Sequence, residues 1–312
     1  ITQIATDLVQ EQYQILNDVL IPELESEGIR FLRRSEWSDE QRDWLANYFE
    51  NEVLPIINPI GLDPSHPFPR LVNKSLNFIV ELDGKDAFGR ETGLAIVPAP
   101  RSLPRLIKLP SDISNGDEIV FLSSIIHAHA DQLFPGMSVQ GCYQFRLTRN
   151  ADFEIEQDDM EDLASTLKGE LLSRRFGDAV RLELADNCPE HLISFLLKEF
   201  KLGKAELYQV RGPVNLSRLM QLPELVDKPQ LLYPSFAPGL PKSLKKTSQF
   251  FSIIKQKDIL LHHPFQSFTP VIDFLRHAAI DPDVIAIKQT LYRSGANSEI
   301  VAALVDAARR GK

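Results

Sequence analysis

The fold of the larger part of the chain is decided by Leu76-Asn77-Phe78-Ile79-Val80-Glu81-Leu82, which is followed by Asp83-Gly84. Alternation within the first seven residues predicts a β-strand, and Asp83-Gly84 is a turn signal. Leu94-Ala95-Ile96-Val97 is the expected antiparallel partner. These two stretches therefore predict an antiparallel sheet.

Further elements surround this hairpin. The predicted strands cover residues 119–122, 143–148 and 180–184, and the predicted helices cover residues 39–54, 123–133, 158–175 and 189–200. Ser38 or Asp39 is a suitable cap for the first of these helices. Five prolines between Pro55 and Pro69 exclude regular structure there. We expect an α+β domain with an antiparallel sheet.

The pattern changes after a proline-rich stretch at 229–241, which is the predicted domain boundary. A short strand is expected at 258–261 and a helix from Thr269 to Ala279. Val284-Ile285-Ala286-Ile287 is typical of a strand that is buried on both faces. Ser298 is a suitable N-cap for a last helix, and Gly311 suits its C′ position. This order predicts the start of an α/β domain.

Both ends of the chain favour an internal piece of a longer protein. An amphipathic helical pattern is already under way at Ile4, and the expected parallel neighbour of the last strand would follow Lys312. From these two patterns we expect a longer parent protein.

Composition argues against several classes of protein. The 312 residues carry 34 Lys and Arg against 43 Asp and Glu, a net charge of −9, which argues against a generally basic nucleic-acid binder. Cys142 and Cys188 are too few for a disulfide scaffold. No apolar run is long enough to span a membrane. A polyanion would need a local channel lined by lysine and arginine.

Lys288 and Arg293 flank the carboxyl end of the second strand predicted for the α/β part. Ligands of open α/β sheets bind outside the carboxyl ends of strands. The loop from Arg293 leads into a helix N-terminus, which favours anions, and a guanidinium binds phosphate oxygens through two parallel hydrogen bonds. The alternative is a surface arginine on a loop, because no Walker sequence occurs.

Histidines offer a second kind of candidate. His262 and His263 follow the predicted strand at 258–261, where histidines serve as ligands or as acid and base groups. The plainer interpretation is two loop histidines, one of them buried and hydrogen-bonded. His127 and His129 are two residues apart on a predicted helix and therefore cannot bind one metal together.

Charged clusters have both a binding and a structural interpretation. Arg30, Arg33 and Arg34 could bind a polyanion, but acidic neighbours favour a solvated charged face. The acidic run at 154–162 lacks the spacing of an EF-hand. We interpret Cys142 as a buried apolar residue, and we expect Cys188 at a helix start.

Four stretches together resemble the polyphosphate kinase family of the histidine-phosphorylating type. They are PIINPIGLD (55–63), LVNKSLNF (71–78), DILLHHPFQSF (258–268) and IDPDVIAIKQTLYR (280–293). The resemblance extends over essentially the whole chain. It implies a parent enzyme about twice as long, which reversibly transfers the γ-phosphoryl group of ATP to inorganic polyphosphate through a phosphohistidine intermediate, with Mg²⁺.

The resemblance also implies a domain plan. Residues 1–25 would be the tail of an N-terminal helical domain, 26–238 the head domain, and 239–312 the start of the first C-terminal domain of phospholipase D-like fold. A dimer or tetramer, ATP or ADP and inorganic polyphosphate are the implied partners, without nucleic acid. We expect a cytoplasmic protein, or one bound peripherally at the inner membrane face.

By position, Arg293 matches the family arginine that binds the Mg²⁺-nucleotide phosphates, and Lys288 is the second candidate. None of the seven histidines matches the phosphorylated one, which the family pattern places beyond Lys312. We therefore expect no kinase activity from these 312 residues alone. The alternative function is a non-catalytic oligomerisation or anion-binding module, and the sequence after Lys312 would separate the two.

Overall fold

The computed structural model describes residues 2–63, 65–85, 93–150, 177–241, 244, 250–291 and 298–312. It divides the chain into two compact units, Ile1–Pro229 and Gln230–Lys312. The division falls at the start of the predicted proline-rich stretch. None of the described helices is long and apolar enough to cross a membrane.

The first unit contains helices, strands and short turns of helix. Its α-helices are α1 (Thr2–Ile15), α2 (Ile21–Ser26), α3 (Asp39–Tyr48), α4 (Leu122–Ala128), α5 (Glu190–Glu199) and α6 (Leu222–Leu225). Its strands are β1 (Ile29–Phe31), β2 (Ile60–Gly61), β3 (Leu76–Gly84), β4 (Leu94–Pro98), β5 (Leu106–Lys108), β6 (Asp117–Phe121), β7 (Met137–Arg149), β8 (Ala179–Ala185) and β9 (Leu207–Val210). Single π turns continue α1 at Leu16–Leu20 and α3 at Phe49–Val53. Short 3₁₀ turns lie at Arg34–Glu36, Ala130–Leu133, Lys204–Glu206 and Leu216–Gln221, and another lies at the boundary between the units, Pro229–Leu231.

The strands form two sheets. The larger has the order β2-β4-β3-β7-β8-β9, and its pairs are antiparallel except for the parallel pair of β8 and β9. The smaller has the order β1-β6-β5, with β1 and β6 parallel. The predicted hairpin is present as β3 and β4, with Ile79 opposite Ile96. The prediction of a mixed fold with an antiparallel sheet is confirmed, whereas the parallel pairs are additions. The expectation that prolines exclude regular structure from 55–69 is wrong at β2, which pairs with β4.

Strand β3 has a hydrophobic core on each of its faces. Phe78 and Val80 belong to a cluster that also contains Phe49 and Val120. Ile79, which points to the other face, packs with Phe145 and the apolar side of α5. Burial on both faces explains why the apolar run of β3 is nearly continuous.

Helix α3 begins as the sequence predicts. Ser38 Oγ accepts a hydrogen bond from the Gln41 backbone N–H at 3.2 Å, and the Gln41 side-chain oxygen accepts one from the Ser38 N–H at 3.1 Å. This reciprocal arrangement is a capping box, which satisfies two donors that the helix leaves free. The predicted helix at 123–133 is α4 followed by a 3₁₀ turn, and the one predicted at 158–175 lies outside the described residues.

The second unit contains α7 (Phe250–Gln256), α8 (Thr269–Ile280) and α9 (Glu299–Arg309). The last two helices pack together, and Arg276 Nη2 lies 2.6 Å from Glu299 Oε2. Ser298 Oγ accepts from the Val301 N–H at 3.4 Å, and Gly311 has a φ of +86°. Both helix-end predictions are therefore confirmed, since a left-handed glycine is typical of C′.

Two strand predictions in this unit are wrong. Residues 258–261 and 284–287 are not strands, and Leu260 and Ile285 are 92% and 89% exposed. A strand needs hydrogen-bonded neighbours, and no described segment forms a ladder with either run. The apolar, β-branched composition shows a preference for strand structure, but it cannot supply the neighbouring strand.

Candidate functional site

The two predicted phosphate-binding residues belong to the stretch between α8 and α9. Arg293 lies in 292–297, outside the described residues. Lys288 is exposed, in a segment without regular structure. That segment is held at its beginning by Lys312, whose Nζ donates to the carbonyl of Val284 at 2.6 Å and also to the carbonyl of Asp281. Lys288 therefore lies on the surface, in a segment that Lys312 anchors at its beginning.

The N-terminus of α9 already has charged and polar occupants. Ser298 accepts from one of its free N–H groups, and the Glu299 carboxylate stands in its first turn. Arg276 balances that carboxylate from α8. An anion that approaches this end would therefore meet a partly satisfied helix start, and it would need added positive charge from the preceding loop.

His262 and His263 are both exposed loop residues. Gln266 connects them: its side-chain oxygen accepts from the His262 N–H at 2.9 Å, and its carbonyl lies 2.8 Å from His263 Nδ1. Phe265 and Phe268 contact the two rings edge-on. No described carboxylate pairs with either ring, so the geometry matches loop histidines. The expectation that one of them is buried is wrong.

Metal-binding groups do not converge in the described ranges. No three His, Cys, Asp or Glu side chains there come together as ligands. The His127 ring lies against Arg34, while the His129 ring stacks on Phe49 with centroids 5.0 Å apart. The acidic run at 154–162 lies outside the described residues.

Both cysteines are buried in the first unit, and burial raises the pKa of each thiol to about 12. Such thiols are neutral and unreactive at neutral pH. Cys142 is the buried apolar residue that the sequence predicts. Cys188 lies two residues before α5, near the helix start expected for it.

The basic cluster near the start of the chain separates into two kinds of side chain. Arg30 is paired, with Glu118 at 2.9 Å and Glu25 at 3.3 Å. Arg33 and Arg34 instead line a cavity of about 500 Å³. Arg33 and Arg34 are exposed, as the prediction of a solvated charged face requires. Arg30 instead forms structural ion pairs.

Sequence reasoning missed the other polar residues of this cavity and of a smaller one beside it. They include Arg105, Ser123, Gln144, Arg211 and Arg218. They come from separate strands, turns and loops and form no short motif. The one sequence signal was the presence of Arg33 and Arg34 close together.

Two family models match consecutive parts of the chain. Residues 40–222 match the polyphosphate kinase middle domain, and residues 249–312 match the polyphosphate kinase C-terminal domain 1. The first match alone covers more than half of the chain. The chain belongs to the polyphosphate kinase family.

Individual relatives agree with this assignment. Proteins named polyphosphate kinase from Pseudomonas syringae pv. tomato, Pseudomonas aeruginosa and Neisseria meningitidis serogroup B are 62%, 61% and 55% identical to it over its whole length. The chain covers 42%, 45% and 46% of those proteins, which is less than half of each. The crystal structure of polyphosphate kinase from Porphyromonas gingivalis aligns with all of this chain and 45% of its own, with a TM-score of 0.69 and 26% identity.

Proposed function

We propose that the protein containing this chain is a polyphosphate kinase that reversibly transfers the γ-phosphoryl group of ATP to inorganic polyphosphate. The observation that supports this most is the order of two family domains along one chain, shared with relatives of that name. The transfer would proceed through a phosphohistidine on a residue outside these 312. Because the chain spans less than half of its relatives, the activity is proposed for the whole protein.

Arg293 and Lys288 would bind the phosphates of the nucleotide. Phosphoryl transfer depends mainly on positioning and on neutralising the charge of the transferred group. A guanidinium does both, since its two parallel N–H bonds fix the phosphate oxygens while its charge offsets theirs. The exposed Lys288 would act as a point charge.

Mg²⁺ is proposed as part of the substrate. The described residues offer no cluster of metal ligands, so they do not fit a resident Mg²⁺ site. The ion commonly binds through substrate phosphates, whose negative charge it reduces.

The domain plan and assembly are part of the same proposal. Residues 1–25 would be the tail of an N-terminal domain, 26–238 the head domain and 239–312 the beginning of a phospholipase D-like domain. A cytoplasmic homo-oligomer would be the working form.

The test is ATP-dependent polyphosphate synthesis by the full-length protein. Arg293→Ala should lower the rate by about 10²-fold or more, which corresponds to a few kcal/mol of transition-state stabilisation. Lys288→Ala should have a smaller effect. Arg309→Ala is the matched control, because Arg309 is an exposed arginine of the same unit.

Absence of synthesis by the wild-type protein would contradict the kinase and favour a non-catalytic oligomerisation or anion-binding module. Equal rates for wild type and Arg293→Ala would remove Arg293 from the mechanism. The 312-residue chain alone should transfer no phosphoryl group, because a phosphohistidine route requires the histidine nucleophile. Sustained ATP turnover by that chain would contradict this part of the proposal.

A further inference from the structure

Arg105 is a buried cation without an anionic partner. Its side chain lies just before β5, and the residue is only 7% exposed. Nη2 reaches the Ala99 carbonyl at 3.5 Å, and Nη1 is buried without a hydrogen-bond partner. No carboxylate in the described ranges pairs with it. Burying an unpaired charge is destabilising, so the fold retains Arg105 at a cost in stability.

Other arginines near Arg105 increase this local excess of positive charge. Burial, together with the Arg218 and Arg101 charges, lowers the pKa of Arg105 to about 10, so it stays protonated at neutral pH. Arg105 and Arg218 line a small cavity with Ser123. The two guanidiniums make this end of the cavity positively charged.

The small cavity adjoins the larger one of about 500 Å³. Phe121, Ser123 and Pro213 line both. Arg33, Arg34 and Arg211 line the larger cavity, where Asp18 is the carboxylate among the described lining residues. We name the two joined cavities the arginine cleft, defined by Arg33, Arg34, Arg105, Arg211 and Arg218.

Three arginines elsewhere in the first unit are neutralised by carboxylates, unlike those of the cleft. Arg30 pairs with Glu118, and Arg146 and Arg181 share Glu183 at 2.9 and 3.1 Å. None of the five cleft arginines has an ion pair with a described carboxylate. In a chain of net charge −9, five guanidiniums without a described carboxylate partner along one cleft favour an anionic ligand.

We propose that the arginine cleft binds a run of successive phosphates of an inorganic polyphosphate chain. This inference rests on the proposed function. The phosphates would lie in the larger cavity beside Arg33, Arg34 and Arg211. Arg105 and Arg218 would add positive charge at its end, where the small cavity of about 20 Å³ has room for little more than a water molecule. An anion with one negative charge per repeat matches this distribution, whereas a single phosphate leaves most of the cleft unpaired. The triphosphate of ATP shares the chemistry and is the competing source.

The experiment measures binding of long-chain polyphosphate and, separately, of ATP to the full-length protein by calorimetry. Arg218→Ala and Arg34→Ala change exposed residues and should each weaken polyphosphate binding about 5- to 10-fold. The triple variant Arg34→Ala, Arg211→Ala, Arg218→Ala should weaken it by about 10²-fold and reduce its salt dependence. ATP affinity should not change. Arg42→Ala is the control, since Arg42 is exposed and pairs with Asp39.

Hydrogen exchange provides a second readout of the same site. Polyphosphate should protect the backbone amides of residues 30–36 and 211–218 in the wild-type protein and not in the triple variant. The Arg105→Met variant removes the buried charge. If this variant does not fold, the variants of the exposed residues Arg34, Arg211 and Arg218 still decide the test.

Unchanged polyphosphate affinity in the triple variant would overturn the proposal. A parallel loss of ATP affinity would also overturn it, by assigning the cleft to nucleotide. Synthesis from ATP is measured on the same wild-type sample. Lack of synthesis together with arginine-dependent polyphosphate binding would contradict the kinase and leave the cleft intact, so the two failures are distinguishable.

Discussion

The buried Gln41 amide donates to the Glu118 carboxylate at 2.8 Å and so connects α3 with β6. Glu118 is 2% exposed and also accepts from Arg30 at 2.9 Å. The same Gln41 nitrogen donates to the Ile113 carbonyl at 3.0 Å. One carboxylate thus joins a helix to both strands of the parallel pair β1–β6.

Loss of this carboxylate should destabilise the first unit. Glu118→Ala leaves the buried Gln41 amide with one acceptor and Arg30 with only its exposed partner, so we expect a loss of about 2–3 kcal/mol. Urea unfolding followed by tryptophan fluorescence measures it, because both tryptophans, Trp37 and Trp44, lie in this unit. Glu25→Ala removes the exposed partner of Arg30 and should cost less than about 0.5 kcal/mol. Equal losses for the two variants would contradict this account.

The second core should be sensitive to a large cavity. Phe145 is fully buried in β7, with its ring centroid 6.1 Å from that of Phe200. Phe145→Ala should cost about 3–5 kcal/mol, from lost burial and an unfilled cavity. Val180→Ala, at a half-exposed position on the adjacent β8, should cost under about 1 kcal/mol. The comparison uses urea midpoints, and a loss below that of Val180→Ala would contradict the assigned core.

The two thiols should be inert in the native protein. Because burial raises the pKa of Cys142 and Cys188 to about 12, the thiolate fraction at pH 8 is on the order of 10⁻⁴. A disulfide reagent should therefore titrate neither thiol in buffer and both in urea. Rapid reaction of either thiol in the native state would show that its segment opens locally.

Acid should weaken the first unit through two histidines. Burial is the main cause that lowers the pKa of His127 and of His129 below the usual value near 6.5, and the Arg34 charge adds to it for His127. The unfolded chain therefore binds protons first as the pH falls, and stability decreases from about pH 7 downward. The double variant His127→Gln, His129→Gln should show a smaller loss of unfolding free energy between pH 7.5 and 5.5. An equal loss in both proteins would exclude these histidines as the cause.

Sequence patterns predicted the elements whose local signals agree with their tertiary surroundings. β3 and β4 are apolar runs, β3 with a turn signal after it, and α3, α8 and α9 have helical spacing or caps. The parallel pairing of β1 with β6 was not predicted, because β1 has only three residues and the paired residues Arg30 and Glu118 are 88 positions apart in the sequence. The run 284–287 shows the opposite case, since its composition favours a strand but no described neighbour pairs with it.

The candidate sites differ in the same way. Lys288 and Arg293 stand out because they belong to one continuous motif that resembles a family. The arginine cleft draws on residues between Arg33 and Arg218, and only the folded sheet arrangement brings them together. Its most informative member, Arg105, carries no sequence signal at all, because burial without a partner is a property of the folded chain.

The position of β3 between two cores has a consequence for motion. Exposing either apolar core to water would also remove the support that β3 gives to the other core. The larger sheet therefore cannot separate from one core alone. Its amides should exchange with solvent only when the whole unit opens, as one cooperative block.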